Sequence, residues 1–367
     1  MARGFDWALL GAAAGLMICS LVVLTGATKD DIAGNPHYYV VRQAIFAAVG
    51  LGLLVAVSRL DYTRLREYRT QIYAFLVGSN IFVLLVGAAA KGSRRWIDLG
   101  FFQFQPSELG KVLLIVTLAA FIADRAQGRQ SEGIVLPVLG LTALPAGLVF
   151  LQPDLGSAMV YGAIALTLLF VAGVPWQQLT ALLMVIVLVA TAVLWALPAA
   201  GVNVLHDYQV QRLTAFLHPS EDTQGQGFQQ TQGEIAIGAG QRIGRGADNA
   251  TQTTLNFIPE HHTDFVFAVV GESYGFAGAA LVMTLYALLI WRGLRILALA
   301  RDQFGALIAA GVVAILMFQV FVNVGMNVGI MPITGVTLPL MSYGGASVLA
   351  TFIALGLLQS VAVHSRH

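Results

Sequence analysis

Asp264 closes the stretch Asn256-Phe-Ile-Pro-Glu-His-His-Thr-Asp264, where Glu260, His261 and His262 also crowd against an apolar run. A carboxylate beside Phe265-Val-Phe-Ala-Val-Val270 is partly desolvated. Desolvation raises its pKa and strengthens it as a base, provided that nearby cations keep it ionised. The same position suits the cap of a following helix, with Thr263 assisting, and the residue types leave both roles open. Glu108 and Lys111 are three apart, so they share one face of a helix. An ionisable pair in an apolar span faces the bundle interior or a watery cavity. It lines a polar cleft or only fixes packing. Arg94 and Arg95, in Lys91-Gly-Ser-Arg-Arg-Trp96, offer charge to an anionic ligand, or else sit on a solvated loop with Trp96 as an interfacial anchor. Gln105-Pro-Ser-Glu108 and Gln152-Pro-Asp-Leu155 echo each other, and each opens a helix. Helix N-termini present N–H groups and a positive dipole end to phosphate, although Pro at a helix start is also common on geometric grounds.

Two motifs promise less. Gly238-Ala-Gly-Gln-Arg-Ile-Gly-Arg-Gly246 is a glycine-rich turn with Arg242 and Arg245. It lacks Walker spacing and a preceding strand, so it reads as a flexible loop. His261 and His262 are adjacent rather than four apart, and no HExxH accompanies them, which argues against a zinc site.

The elements that must hold these residues are set by composition. The chain has 367 residues, 57% hydrophobic and 11% charged, against about a quarter charged in a soluble domain. Its mean hydropathy of +0.77 calls for lipid as solvent. The net charge of +1 gives no reason to expect a nucleic-acid partner, and the single cysteine, Cys19, excludes an internal disulfide. Ten apolar runs are long enough to be spans: 7–27, 38–58, 70–90, 107–123, 134–151, 155–174, 178–197, 275–297, 303–325 and 345–363. The run from Trp7 reads as an uncleaved first span. The expectation is an all-α polytopic membrane protein, one integral membrane domain over 1–367. Arg59, Arg64, Arg66, Arg69, Arg292 and Arg295 cluster at alternate span ends. The positive-inside rule then puts both termini in the cytoplasm. It also puts the long 198–274 loop, between spans seven and eight, outside. Loops this long are usually functional or disordered, and this one carries apolar stretches that suit short interfacial helices. Between spans nine and ten, Gly329 to Gly345 is uncharged and broken by Pro332 and Pro339. It reads as a re-entrant or broken segment lining a cavity, or as a simple hairpin.

Taken together, GSRRWIDLGFFQFQPSELGK, LQPDLGSA, FIPEHHTDFVFAVVGESYGF and PITGVTLPLMSYGGAS resemble the SEDS family (shape, elongation, division, sporulation) of membrane glycosyltransferases. TQTTLNFIPE and the PITG form look more like the elongation branch than the division branch. The resemblance implies polymerisation of lipid II, a disaccharide-peptide on undecaprenyl pyrophosphate, at the outer face of the bacterial cytoplasmic membrane. It implies Asp264 as the essential acid, and Glu108, Lys111, Asp154 and Arg212 as functional positions. With Arg94 and Arg95, these are the candidate substrate-binding residues. It further implies dependence on Mg²⁺ or Mn²⁺, with no ligand set assigned, and a class B penicillin-binding protein as partner in the elongation complex. A lipid II flippase is the competing reading. It would require a polar path through the whole membrane, whereas the intramembrane charges here lie toward one end.

Overall fold

The computed structural model describes residues 4–29, 31–32, 34–90, 93–98, 100–126, 133–192, 216, 225–255, 257–259 and 261–365. In lipid every backbone N–H and C=O needs a partner within the chain, so apolar runs of this length fold as helices. The described helices are α1 (Trp7–Ala27), α2 (Tyr38–Arg59), α3 (Arg69–Val86), α4 (Pro106–Ala126), α5 (Val135–Leu151), α6 (Leu155–Val171) and α7 (Trp176–Thr191). They continue with α8 (Gln226–Gly240), α9 (Thr251–Thr254), α10 (Val266–Ala298), α11 (Gln303–Asn327) and α12 (Gly345–His364). Seven of them are long and apolar enough to cross a membrane, and α5, α6 and α7 are shorter apolar helices. Together they account for the ten runs expected from the sequence.

Gly4 lies against the backbone of Val363, so both ends of the described chain meet at one face, called here the terminal face. Alternation along the bundle then brings the first turns of α4, α6, α10 and α12 to the opposite, loop face. The most enclosed helices are α4, α11 and α12, with 83%, 78% and 72% of their apolar windows buried, against 17% for α3. These three form the interior, and α3 faces outward. The terminal face is stapled by ion pairs between helices. Arg292 grips Asp6 with Nε 2.8 Å from Oδ2, and Arg66 and Arg69 converge on Asp124.

Three features depart from the sequence reading. The third span stops at Val86. Residues Ala88–Ala90 form β1, which joins β2 (Ser93–Asp98) and β3 (Gln103–Phe104) in an antiparallel sheet of order β1-β2-β3. Gly87 ends the helix, and the polar Lys91-Gly-Ser93 that follows suits a hairpin rather than another helical turn. Next, α10 joins the short helix expected after Asp264 to the predicted eighth span, 275–297, in one continuous element. It breaks at Gly275, whose φ is +64°. A side chain there would strike the backbone of Ile243, 2.7 Å from an added Cβ. Last, the glycine-rich turn is ordered. Phe276 and Ala277 donate to the carbonyls of Gln241 and Arg242, and Arg245 and Gly246 donate to those of Glu272 and Ser273. The turn thus supplies the backbone partners that the break in α10 would leave missing.

The irregular stretch from Val328 to Gly344 is built into the protein interior, with Ile333, Val336, Leu338, Leu340 and Met341 all buried. It is a broken segment, not a simple hairpin. Four of its carbonyls accept from side chains of four helices. Asn323 of α11 donates to Val336, Tyr286 of α10 to Pro339, Ser20 of α1 to Met341, and Gln43 of α2 to Ser342. That is the condition under which non-helical backbone persists at membrane depth.

Candidate active site

The two QP motifs meet at the loop face. Asp154 caps α6 through Oδ1, which accepts from Ser157 N at 3.0 Å, and the residue is buried. Its Oδ2 accepts from Gln105 Nε2 at 3.0 Å and from Ser107 Oγ at 3.3 Å. Tyr161 donates across to the Ser107 carbonyl. The echo in the sequence is therefore a physical contact that locks the start of α4 onto the start of α6. Arg95, on β2, donates through Nε to the Gln152 carbonyl at 2.9 Å and through Nη2 to the Pro153 carbonyl. Its guanidinium thus holds the α5–α6 corner. Arg94 is also on β2, but its side chain is outside the described set. Arg212 and Glu260 lie outside the described residues.

One turn into α4, Lys111 Nζ is 2.6 Å from Glu108 Oε1, and both residues are buried, at 4% and 8% exposure. So enclosed a pair persists only because each charge has the other. The pair forms one wall of a narrow cleft between α4, α11 and α12, which Gln319 and Thr351 also line.

Asp264 is half-buried just before α10. It does not supply the cap of that helix. The N–H of Ala268 in the first turn takes Asn327 Oδ1 of α11 at 3.0 Å instead. The same Asn327, with Asn323, donates to the Asp264 carbonyl at 3.1 and 2.9 Å. Ser342 Oγ donates to the Thr263 carbonyl at 2.6 Å, and Tyr343 N donates to that of His262 at 2.9 Å. Three consecutive carbonyls of the His-Thr-Asp turn are thereby fixed by α11 and by the segment before α12. Above the turn, the ring of Tyr39 lies 4.8 Å from those of both His262 and Tyr343. Nearby, Arg42 stacks over Tyr38 and Phe101, at 4.4 and 5.0 Å.

Helix α11 connects these pieces. Gln319, Asn323 and Asn327 are buried and recur every fourth residue, so they form one polar stripe along it. The stripe runs from the Glu108–Lys111 cleft to the Asp264 turn, about 6 Å per step at ~1.5 Å rise per residue. Sequence reasoning passed over it and over Arg42. The signal was present as Gln319-Val-Phe-Val-Asn323-Val-Gly-Met-Asn327, amides at helical period inside an apolar run.

The fold and site define a polytopic membrane bundle that carries an acid on a fixed turn at one face, linked by the amide stripe of α11 to an enclosed ion pair. The family model for FtsW, RodA and SpoVE, described as "Cell cycle protein", matches residues 5–367. Peptidoglycan glycosyltransferase MrdB of Escherichia coli (strain K12) is 35% identical over 353 residues, 96% of this chain and 91% of that protein. Stage V sporulation protein E of Bacillus subtilis (strain 168) is 33% identical, covering 96% of this chain and 93% of its own. A chain of a solved peptidoglycan synthase complex superposes with a TM-score of 0.83 at 31% identity, covering 98% of each chain. The crystal structure of the rod shape determining protein RodA of Thermus thermophilus gives 0.71 at 29% identity, covering 99% of this chain and 98% of that one. The chain belongs to the FtsW/RodA/SpoVE family of cell cycle proteins.

Proposed function

We propose that this chain is a peptidoglycan glycosyltransferase of the RodA kind, polymerising lipid II into glycan at the outer face of the bacterial cytoplasmic membrane. The observation that carries this reading is the fixed turn at Asp264. Three successive carbonyls are held by side chains and backbone of other segments, which fixes the backbone from which one carboxylate projects at the loop face. Membership of a family whose relatives are named peptidoglycan glycosyltransferases supports the chemistry. A bundle with a water-facing site suits a substrate whose lipid tails remain in the bilayer.

In the reaction, an acceptor sugar hydroxyl attacks C1 of the donor sugar, and the diphosphate leaves with the bonding electrons. The hydroxyl is a weak nucleophile, so Asp264 takes its proton as the new C–O bond forms. The diphosphate needs no proton if its growing charge is neutralised. Lys111 in the cleft, Arg94 and Arg95 of β2, and Arg212 are assigned to that task, with Arg95 also holding the α5–α6 corner. A single displacement inverts the anomeric centre, from an α-linked donor to a β-linked product.

A divalent cation, Mg²⁺ or Mn²⁺, would supply further charge stabilisation to the diphosphate. Of the two candidate carboxylates, Asp154 is the more committed, since its oxygens already accept three hydrogen bonds, from Ser157, Gln105 and Ser107. Glu108 fits: Lys111 engages Oε1, and among the described residues Oε2 takes no hydrogen bond. The partner assigned is a class B penicillin-binding protein in the elongation complex, supported by the likeness to a chain of a peptidoglycan synthase complex. The test is a paired assay with partner and lipid II. Glycan formation by the wild type supports the reading. Movement of lipid II across vesicles without polymer would replace it with a flippase.

A further inference from the structure

Asp31, from the α1–α2 connection, reaches the His-His turn some 230 residues later in the chain. One ligand atom from each of Asp31, His261 and His262 lies within 4.8 Å of the others. His261 is 2% exposed, and its Nδ1 is 2.9 Å from the Ile258 carbonyl. A carbonyl only accepts, so Nδ1 carries the proton, and in the uncharged ring Nε2 then presents a lone pair. That lone pair faces a second acceptor: Nε2 is 3.2 Å from Asp31 Oδ2, yet their geometry is not that of a hydrogen bond. Two acceptors held this close repel unless a positive charge joins them. The separation is also close to ~3.3 Å, the edge of a tetrahedron with metal–ligand bonds of about 2.0–2.1 Å.

From this arrangement we infer that Asp31, His261 and His262 form a zinc site that clamps the α1–α2 connection onto the turn bearing Asp264. Two imidazoles and a carboxylate suit zinc and disfavour Mg²⁺ or Ca²⁺, which take oxygen ligands. The Nδ1–H to carbonyl bond is the outer-shell contact that orients a ligating histidine. Tyr39, stacked on His262, walls the site. Adjacent histidines without an i,i+4 partner argued against zinc in the sequence, because the third ligand is supplied by a distant segment. The clamp is distinct from the hard cation assigned to the diphosphate. It is a positioning device, and its effect on Asp264 rests on the polymerase reading.

The test uses the full chain without a polyhistidine tag, in nanodiscs, stripped with chelator, dialysed against zinc and then desalted. The wild type is expected to retain one zinc per chain and to melt at a higher temperature with zinc than without. His261→Gln and Asp31→Asn should each weaken zinc binding by at least ~10-fold and lose the thermal shift. Cobalt in the wild type should give visible d–d absorption that zinc displaces, a readout independent of whether the variants fold. Wild type that holds no zinc and gives no cobalt bands would overturn the site, as would folded variants that bind zinc as the wild type does. Binding is measured without lipid II, so failure of the clamp leaves the polymerase reading standing, and loss of polymerisation with zinc still bound leaves the clamp standing.

Discussion

At position 264 the chain holds a carboxylate at the boundary between an apolar helix and an open face, and leaves the capping of that helix to Asn327. The Glu108–Lys111 pair poses the complementary problem of charge kept out of water. Removing one partner of such a pair leaves the other buried and uncompensated, at a cost of about 3–5 kcal/mol. Lys111→Met alone should therefore lower the thermal midpoint sharply. The double change Glu108→Gln with Lys111→Met should recover most of that stability while polymerisation stays low. A double variant that regains activity along with stability would remove Lys111 from the neutralisation of the diphosphate.

Among the elements, α11 matters most, because its amide stripe ties the cleft to the Asp264 turn. Asn323→Ala leaves the carbonyl of Val336 without this donor and removes one of the two amides on that of Asp264, a loss of roughly 1–3 kcal/mol. Polymerisation should fall at least ~10-fold, in turnover rather than in lipid II affinity, since a 1 Å misplacement alone can cost far more. Asn327→Asp keeps the acceptor for Ala268 N–H but loses the donor to Asp264. It buries an unpaired carboxylate, so its stability should fall as well as its turnover, whereas wild-type turnover in the folded fraction of both variants would show the stripe to be packing only. The spans were legible because their apolar runs are long and are bounded by arginines or by polar, proline-bearing turns such as Gln152-Pro-Asp154. The docking of the glycine-rich turn on the break in α10 was not, since nothing in Gly238 to Gly246 shows that its backbone will meet Gly275. Asp264, Glu108, Lys111 and Asp154 stood out as charges in oil. Asn323 and Asn327 did not, because an amide in an apolar run is conspicuous only when its period is counted.

For the whole molecule, the face that carries Asp264 must open to the side where lipid II is polymerised. Cysteine scanning tests this. In a Cys19→Ser background, Ile243→Cys, at a position 84% exposed beside the kink of α10, should react with a membrane-impermeant maleimide in intact cells. Arg301→Cys, between α10 and α11 at the terminal face, should react only after the membrane is opened. The reverse pattern would put the site in the cytosol. The terminal face, stapled by Arg292–Asp6 and by Arg66 and Arg69 on Asp124, gives the bundle a fixed base. The loop face is where helix starts, the buried broken segment and the charged residues gather.

The central claim is that the Asp264 carboxylate removes the proton of the attacking hydroxyl. It is tested most directly by following labelled lipid II into glycan with the purified chain and its penicillin-binding partner, wild type against Asp264→Asn. The wild type should build long strands, and the folded Asp264→Asn protein, with an unchanged thermal midpoint, should lose at least ~100-fold in rate. An Asp264→Asn protein that polymerises at the wild-type rate would contradict it.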